Sequence, residues 1–82
     1  MRHILYFTAN WCNPCQRTKP FAEELISEGF DIRFIDADEN NNLVKKFEIK
    51  SIPTFILIEN DNEINRINGA KTKEQLIDFM NG

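Results

Sequence analysis

Glycine and proline are scarce in this sequence, three of each among 82 residues, and cysteine occurs only twice. Such a chain has no linkers, repeats or low-complexity tracts, and it has too few cysteines for a disulfide-stapled scaffold. The two cysteines stand at positions 12 and 15, and a crosslink closing so short a loop restricts the unfolded chain little. They are poor staples, so chemistry is the better explanation for them. Long apolar runs are also missing. Arg2 is followed by only Ile4-Leu5-Tyr6-Phe7, too short for the core of a signal peptide, and no later stretch approaches the length of a membrane span. The expected location is therefore the cytoplasm, a reducing milieu in which a Cys-x-x-Cys pair is catalytic or metal-binding rather than structural.

Basic residues are not in excess: the net charge is −3, and the lysines and arginines are scattered. No basic stripe exists to bind nucleic acid or an anionic membrane. Histidine occurs once, at His3, the only soft ligand besides the two thiols. A zinc ion normally takes four ligands, so no metal is expected, and His3 reads as an ordinary strand-end residue. The polar stretch from Asp36 to Asn42 lacks the glycine and terminal glutamate of a calcium loop and reads as a solvated connection.

What is present is 41% hydrophobic and 28% charged, the balance of a soluble globular chain, and 82 residues allow one domain over positions 1–82. Ile4 to Thr8 is a β-prone run fit for a buried strand, followed by a turn and a helix over 13–28 that Gly29 should stop. Phe21, Ala22, Leu25 and Ile26 give that helix its apolar spacing, and Pro20 should kink it. Residues 31–36 alternate as a second strand, making a right-handed strand–helix–strand unit with parallel strands. Leu43, Val44 and Phe47 predict a short amphipathic helix. Residues 54–58 predict the clearest strand, and residues 63–67 an antiparallel partner after the turn Asn60-Asp61-Asn62. Thr72 and Gln75 form a capping-box pattern opening a last helix that buries Leu76, Ile77, Phe79 and Met80. The phenylalanines at 7, 34 and 55 read as core. The order is an α/β fold, β-α-β-α-β-β-α, with a mixed four-stranded sheet flanked by three helices. Its cysteine pair falls at the carboxyl end of the first strand, the edge where open α/β sheets bind ligands.

Cysteines three apart in a first helical turn lie on the same side, within reach of one another. Cys12 would meet unpaired backbone amides and the positive end of the helix dipole, which favour thiolate and make it the nucleophile. Cys15, one turn further in, would be more buried and would resolve the mixed disulfide that Cys12 forms.

Trp11-Cys12-Asn13-Pro14-Cys15 resembles the Trp-Cys-Gly-Pro-Cys active site of thioredoxins, with Asn13 replacing the glycine. Pro20 falls five residues after Cys15, as does their helix proline; Ser51-Ile52-Pro53-Thr54 is similar to their cis-proline loop, and Asn68-Gly69-Ala70 to a loop of their substrate groove. The likeness spans nearly the whole chain but lacks the first strand and helix of a full-length member, so it implies a trimmed version near glutaredoxin size. It implies a thioredoxin-like fold and a protein-disulfide reductase with no cofactor beyond its own redox-active pair. Electrons would come from a flavin-dependent thioredoxin reductase or another thiol donor, and the protein would act as a monomer in cell redox homeostasis. Trp11, Gly69 and Ala70 would contact substrate, and the backbone of Ile52 would pair with an extended substrate segment. Pro53, in cis, would keep an amide away from the sulfurs. Asn13 and Pro14, between the cysteines, would help set the potential.

Two departures stand out. Thioredoxins place a buried aspartate five residues before the tryptophan and a lysine beside it on the next strand; here those positions are Tyr6 and Phe34. Losing both charges together is physically sensible, since one buried charge without the other is costly. Water or the departing thiolate would then take the proton of Cys15, with Asp36 the carboxylate to test. Two other readings stay open at this stage. One is a glutathione-dependent, glutaredoxin-like enzyme, although the pair lacks that class's Pro-Tyr and the 68–70 loop lacks its double glycine. The other is a non-catalytic binding module of the same shape.

Overall fold

Strand β1, Arg2–Thr8, is hydrogen-bonded on both sides, and this central position explains why its apolar residues do not alternate simply with polar ones. In the computed structural model, which describes all 82 residues, helix α1 follows as Asn13–Ser27 and strand β2 as Ile32–Asp36. Helix α2 spans Asn41–Lys46, strands β3 and β4 span Thr54–Glu59 and Asn62–Asn68, and helix α3 spans Lys73–Asn81. This is the element order expected from the sequence, with bounds shifted by one or two residues.

The sheet order is β2-β1-β3-β4. β1 and β2 are parallel, with Tyr6 opposite Phe34 and Thr8 opposite Asp36. β3 runs antiparallel to β1, with Tyr6 opposite Phe55 and Phe7 opposite Thr54, and β4 runs antiparallel to β3, with Thr54 opposite Asn68. These registers bring the end of β1, the end of β2, the start of β3 and the end of β4 to one edge of the sheet.

Side chains alternate between the two faces. Ile4, Tyr6, Ile32, Phe55 and Leu57 point to the face covered by α1 and α3, where Ala22, Leu25, Leu76, Phe79 and Met80 complete a cluster of ten buried residues. Phe7, Ile56 and Ile58 point to the other face, against half-buried residues that include Leu43, Val44 and Phe47. Helix α1 ends where Gly29 adopts φ +100°, a left-handed conformation glycine takes without steric cost. The Gly29 amide then bonds the Ile26 carbonyl and the Phe30 amide that of Leu25, each at 3.0 Å, so carbonyls of the last turn find partners as the chain leaves the helix. At the start of α3 the expected capping box is present: Thr72 Oγ1 accepts from the Gln75 amide at 3.2 Å, and Gln75 Oε1 from the Thr72 amide at 2.9 Å.

Three expectations about burial need correction. Phe21 and Ile26 lie on the outer side of α1 rather than in the core; its buried residues are Cys15, Thr18, Ala22 and Leu25. Ile77 is only half-buried beside the larger cluster. Phe34 is 38% exposed, because β2 is an edge strand and the ring of Phe34 covers Tyr6 from the rim.

Candidate functional site

Cys12 is the N-cap of α1, with extended backbone (φ −89°, ψ 107°), and Pro14 sits in the first turn, where no amide is needed for the helix. The Cys12 sulfur accepts the Cys15 backbone N–H at 3.3 Å, the place a serine or aspartate oxygen takes at an ordinary N-cap. The two sulfurs are bonded to one another, with Cα atoms 5.2 Å apart. Cys15 is completely buried and Cys12 is 4% exposed, so the amino-terminal residue is the more accessible of the two by a smaller margin than the helix-start position implies. A first-turn N–H aimed at the Cys12 sulfur stabilises negative charge there, as does the positive end of the α1 dipole.

Each remaining residue singled out in the sequence lies on an element that reaches this edge. Ile52 and Pro53, just ahead of β3, are joined by a cis peptide bond, and the Ile52 carbonyl oxygen lies 3.8 Å from the Cys12 sulfur. Ala9, Cys12 and Cys15 form a small buried cluster against which Ile52 packs. Gly69, at φ +87°, donates its backbone N–H to the Pro53 carbonyl at 2.9 Å, which ties the loop after β4 to the loop before β3. Ala70 beside it is exposed, as is Asn13 at the tip of the pair, and Pro14 is half-buried. Trp11 is 68% exposed. Together with Ala37, Val44, Ile49 and Ile52 it lines a largely apolar groove of about 280 Å³ next to Cys12.

Two contributors were not singled out as site residues. Asp38 accepts a hydrogen bond from the Trp11 indole Nε1 at 2.9 Å and so fixes the exposed ring. In the sequence it looked like one more solvated acid; its signal is that it follows the carboxyl end of β2, at the same edge as the pair. Thr18 is buried in α1, donating to the Pro14 carbonyl at 3.2 Å and accepting the Lys71 backbone N–H at 3.1 Å. A helical position three residues after Cys15 is its only sequence signal.

Beneath the pair, Tyr6 occupies the place left uncharged. Its hydroxyl donates to the Cys15 carbonyl at 2.6 Å in a buried hydrogen bond. Its ring lies 4.5 Å from that of Phe55 and 5.2 Å from that of Phe34. Burial pushes its pKa up to about 12, against the smaller opposite pull of the Thr8 and Thr18 hydroxyls. Asp36 ends β2 opposite Thr8 and accepts the Asp38 backbone N–H at 2.9 Å. It lines a solvent pocket with Thr8, Lys19 and Phe34. His3 stands half-buried in β1, and no group of three or more metal-ligating side chains is assembled anywhere in the fold.

A four-stranded α/β sheet with vicinal cysteines at the start of its first helix, faced by a cis-proline loop, defines a thiol–disulfide oxidoreductase. Known proteins narrow the class further. The thioredoxin family model matches residues 1–82. The thioredoxin of Chlamydia pneumoniae is 40% identical over 80 residues, covering 95% of this chain and 78% of that protein. That of Staphylococcus haemolyticus is 36% identical over 80 residues, covering 94% and 77%. The bifunctional thioredoxin reductase/thioredoxin of Mycobacterium leprae is 38% identical over 77 residues, which is 90% of this chain and 17% of that one. The X-ray structure of Fasciola hepatica thioredoxin superposes with a TM-score of 0.90 at 28% identity, over 98% of this chain and 78% of that one. The chain belongs to the thioredoxin family, and its activity is the reduction of protein disulfides.

Proposed function

We propose that Cys12 attacks the target disulfide and Cys15 resolves the resulting intermediate. The observation that supports these roles is the Cys15 N–H directed at the Cys12 sulfur from the first turn of α1. The Cys12 thiolate forms a bond to one target sulfur and the target's own S–S bond breaks, releasing its other sulfur as thiolate. Cys15 then loses its proton and attacks the Cys12 sulfur. The mixed disulfide breaks, the second target thiolate leaves, and two electrons have passed from the pair to the target. Cys15 is buried one turn inside, where the sulfur within its reach is that of Cys12.

Substrate would lie along the edge formed by Trp11, Ile52, Pro53, Gly69 and Ala70, an extended segment pairing with the Ile52 backbone as an added strand does. The apolar groove beside Trp11 suits an apolar side chain near the target cystine. Asn13 and Pro14 tune the potential as the residues enclosed by the pair. The pair is the only redox group this chemistry requires, so no bound cofactor is invoked. A flavin-dependent thioredoxin reductase is the proposed electron donor; a relative in which the two activities share one chain supports this choice. We place the protein in the cytoplasm as a monomer serving electron transport and redox homeostasis.

The test is reduction of insulin with dithiothreitol as donor. The unmodified chain should accelerate it well above background, and Cys12→Ser should abolish the acceleration. Equal rates for the two would reject the assignment. Replacing dithiothreitol by glutathione, or by NADPH with a thioredoxin reductase, identifies the donor; faster turnover with glutathione would instead favour a glutaredoxin-like cycle.

A further inference from the structure

When Cys12 carries a target sulfur, it no longer bonds to Cys15, and something else must hold the resolving thiol in line. Two side-chain hydroxyls grip that turn of α1. Tyr6 donates to the Cys15 carbonyl at 2.6 Å, and Thr18 donates to the Pro14 carbonyl at 3.2 Å while accepting from the Lys71 amide at 3.1 Å. Tyr6 is itself immobilised, completely buried on the central strand, with Phe55 on one side of its ring and Phe34 on the other. A short, buried hydrogen bond between the middle of the sheet and the carbonyl of the resolving cysteine fixes that residue better than helix geometry alone.

We infer that Tyr6 is a positioning residue for resolution, holding the Cys15 turn through its phenolic hydroxyl while the mixed disulfide exists and taking no proton itself. The inference rests on the assignment of Cys15 as the resolving thiol. The groups placed against the Tyr6 side chain are uncharged: Phe34 from β2 and Phe55 from β3 on its ring, and the hydroxyls of Thr8 and Thr18 near its oxygen. The charged groups at this end are Lys19 of α1 and Asp36 of β2, across the pocket of about 240 Å³ that Thr8 and Phe34 also line. A phenol whose pKa is about 12 stays protonated at neutral pH, so its hydroxyl keeps its hydrogen for the Cys15 carbonyl and is no base for the Cys15 thiol. The proton of Cys15 then passes to the target thiolate released in the first step. The electron pair left on Cys15 sulfur makes the new bond to Cys12, and the second target thiolate carries away the pair from the broken bond.

The full chain provides the test. Single-turnover reduction of a peptide disulfide separates capture by Cys12, read in Cys15→Ser as accumulated mixed disulfide, from resolution, read as release of the second peptide thiol. Tyr6→Phe should leave capture within about twofold and slow resolution about fivefold, with the pH profile from about pH 6 to about pH 9 unchanged in shape. Equal slowing of both steps, or of neither, would overturn the positioning role. A break in the unmodified protein's profile that Tyr6→Phe removes would overturn the claim that Tyr6 takes no proton. Failure of Cys15→Ser to accumulate mixed disulfide overturns the assignment of the pair, and the inference with it, in a separate measurement. Should Tyr6→Phe not fold, the unmodified protein decides the matter, because Tyr6 is its only tyrosine. Tyrosinate absorbance should stay flat up to about pH 10 in oxidised and reduced protein alike; titration nearer neutrality in either state refutes the inference.

Discussion

The two faces of the sheet are built to different depths. The face under α1 and α3 buries ten residues in one cluster, including the completely buried Tyr6, Phe55, Ala22 and Leu76. The face under α2 has three buried residues, and α2 itself buries none. Tyr6 belongs to the deep cluster, and the Cys15 whose carbonyl it holds is on α1, the helix that covers that face. The adaptable part of the edge belongs to the shallow face: the exposed Trp11, its partner Asp38, and the groove lined by Val44 and Ile49. The difference separates the groups that must keep two sulfurs aligned from the surface that must accept varied targets.

The largest effect on this contrast should come from Phe55→Ala. It removes a ring packed against Tyr6 in the deep cluster, and a buried aromatic truncated to alanine costs about 3–5 kcal/mol, readable as a lower urea midpoint with unchanged slope. Next comes alkaline stability. Tyr6 has its pKa raised from 10.0 to about 12 in the folded protein, so between those values the native state holds a proton the unfolded chain has released. Stability should therefore fall as pH rises through that window, by about 1 kcal/mol per pH unit, and Tyr6→Phe should remove that part of the slope. Leu43→Ala, on the shallow face, should cost only about 1 kcal/mol, because its side chain is half-buried to begin with. A cost equal to that of Phe55→Ala would erase the distinction between the faces. Smallest in stability, within about 0.5 kcal/mol, is Asp38→Ala. It frees Trp11, the only tryptophan, so fluorescence anisotropy should drop and KM for insulin should rise more than kcat falls.

Most of the fold was legible in order and type because its signals are local. The apolar runs at 4–8 and 54–58, the alternation at 31–36, the glycine after α1 and the Thr72–Gln75 box each act within a few residues, and each stands where its chemistry requires. What failed was burial at the margins. Apolar spacing put Phe21 and Ile26 on the inner side of α1, but a two-layer packing covers only one stripe of the helix, and Cys15, Thr18, Ala22 and Leu25 fill it. Phe34 seemed core because strands with alternating apolar residues usually face one; an edge position in the sheet order exposed it. Asp38 and Thr18 were invisible for a similar reason, since each acts through a partner distant in sequence, Trp11 and Lys71.

By itself the sequence determined the reaction class. A Cys-x-x-Cys at a helix start places two sulfurs within bonding reach and one of them on free backbone amides, and those are consequences of spacing alone. It also determined that no charged pair lies in the core, since Tyr6 and Phe34 cannot supply one. Only the tertiary structure decided what replaces that pair. The phenol of Tyr6 reaches the Cys15 carbonyl because the register of β1 against β2 and β3 stands its ring between Phe34 and Phe55, under the first turn of α1. A hydrogen bond across nine residues of sequence depends on how strand, turn and helix pack, which residue types and spacing do not encode locally.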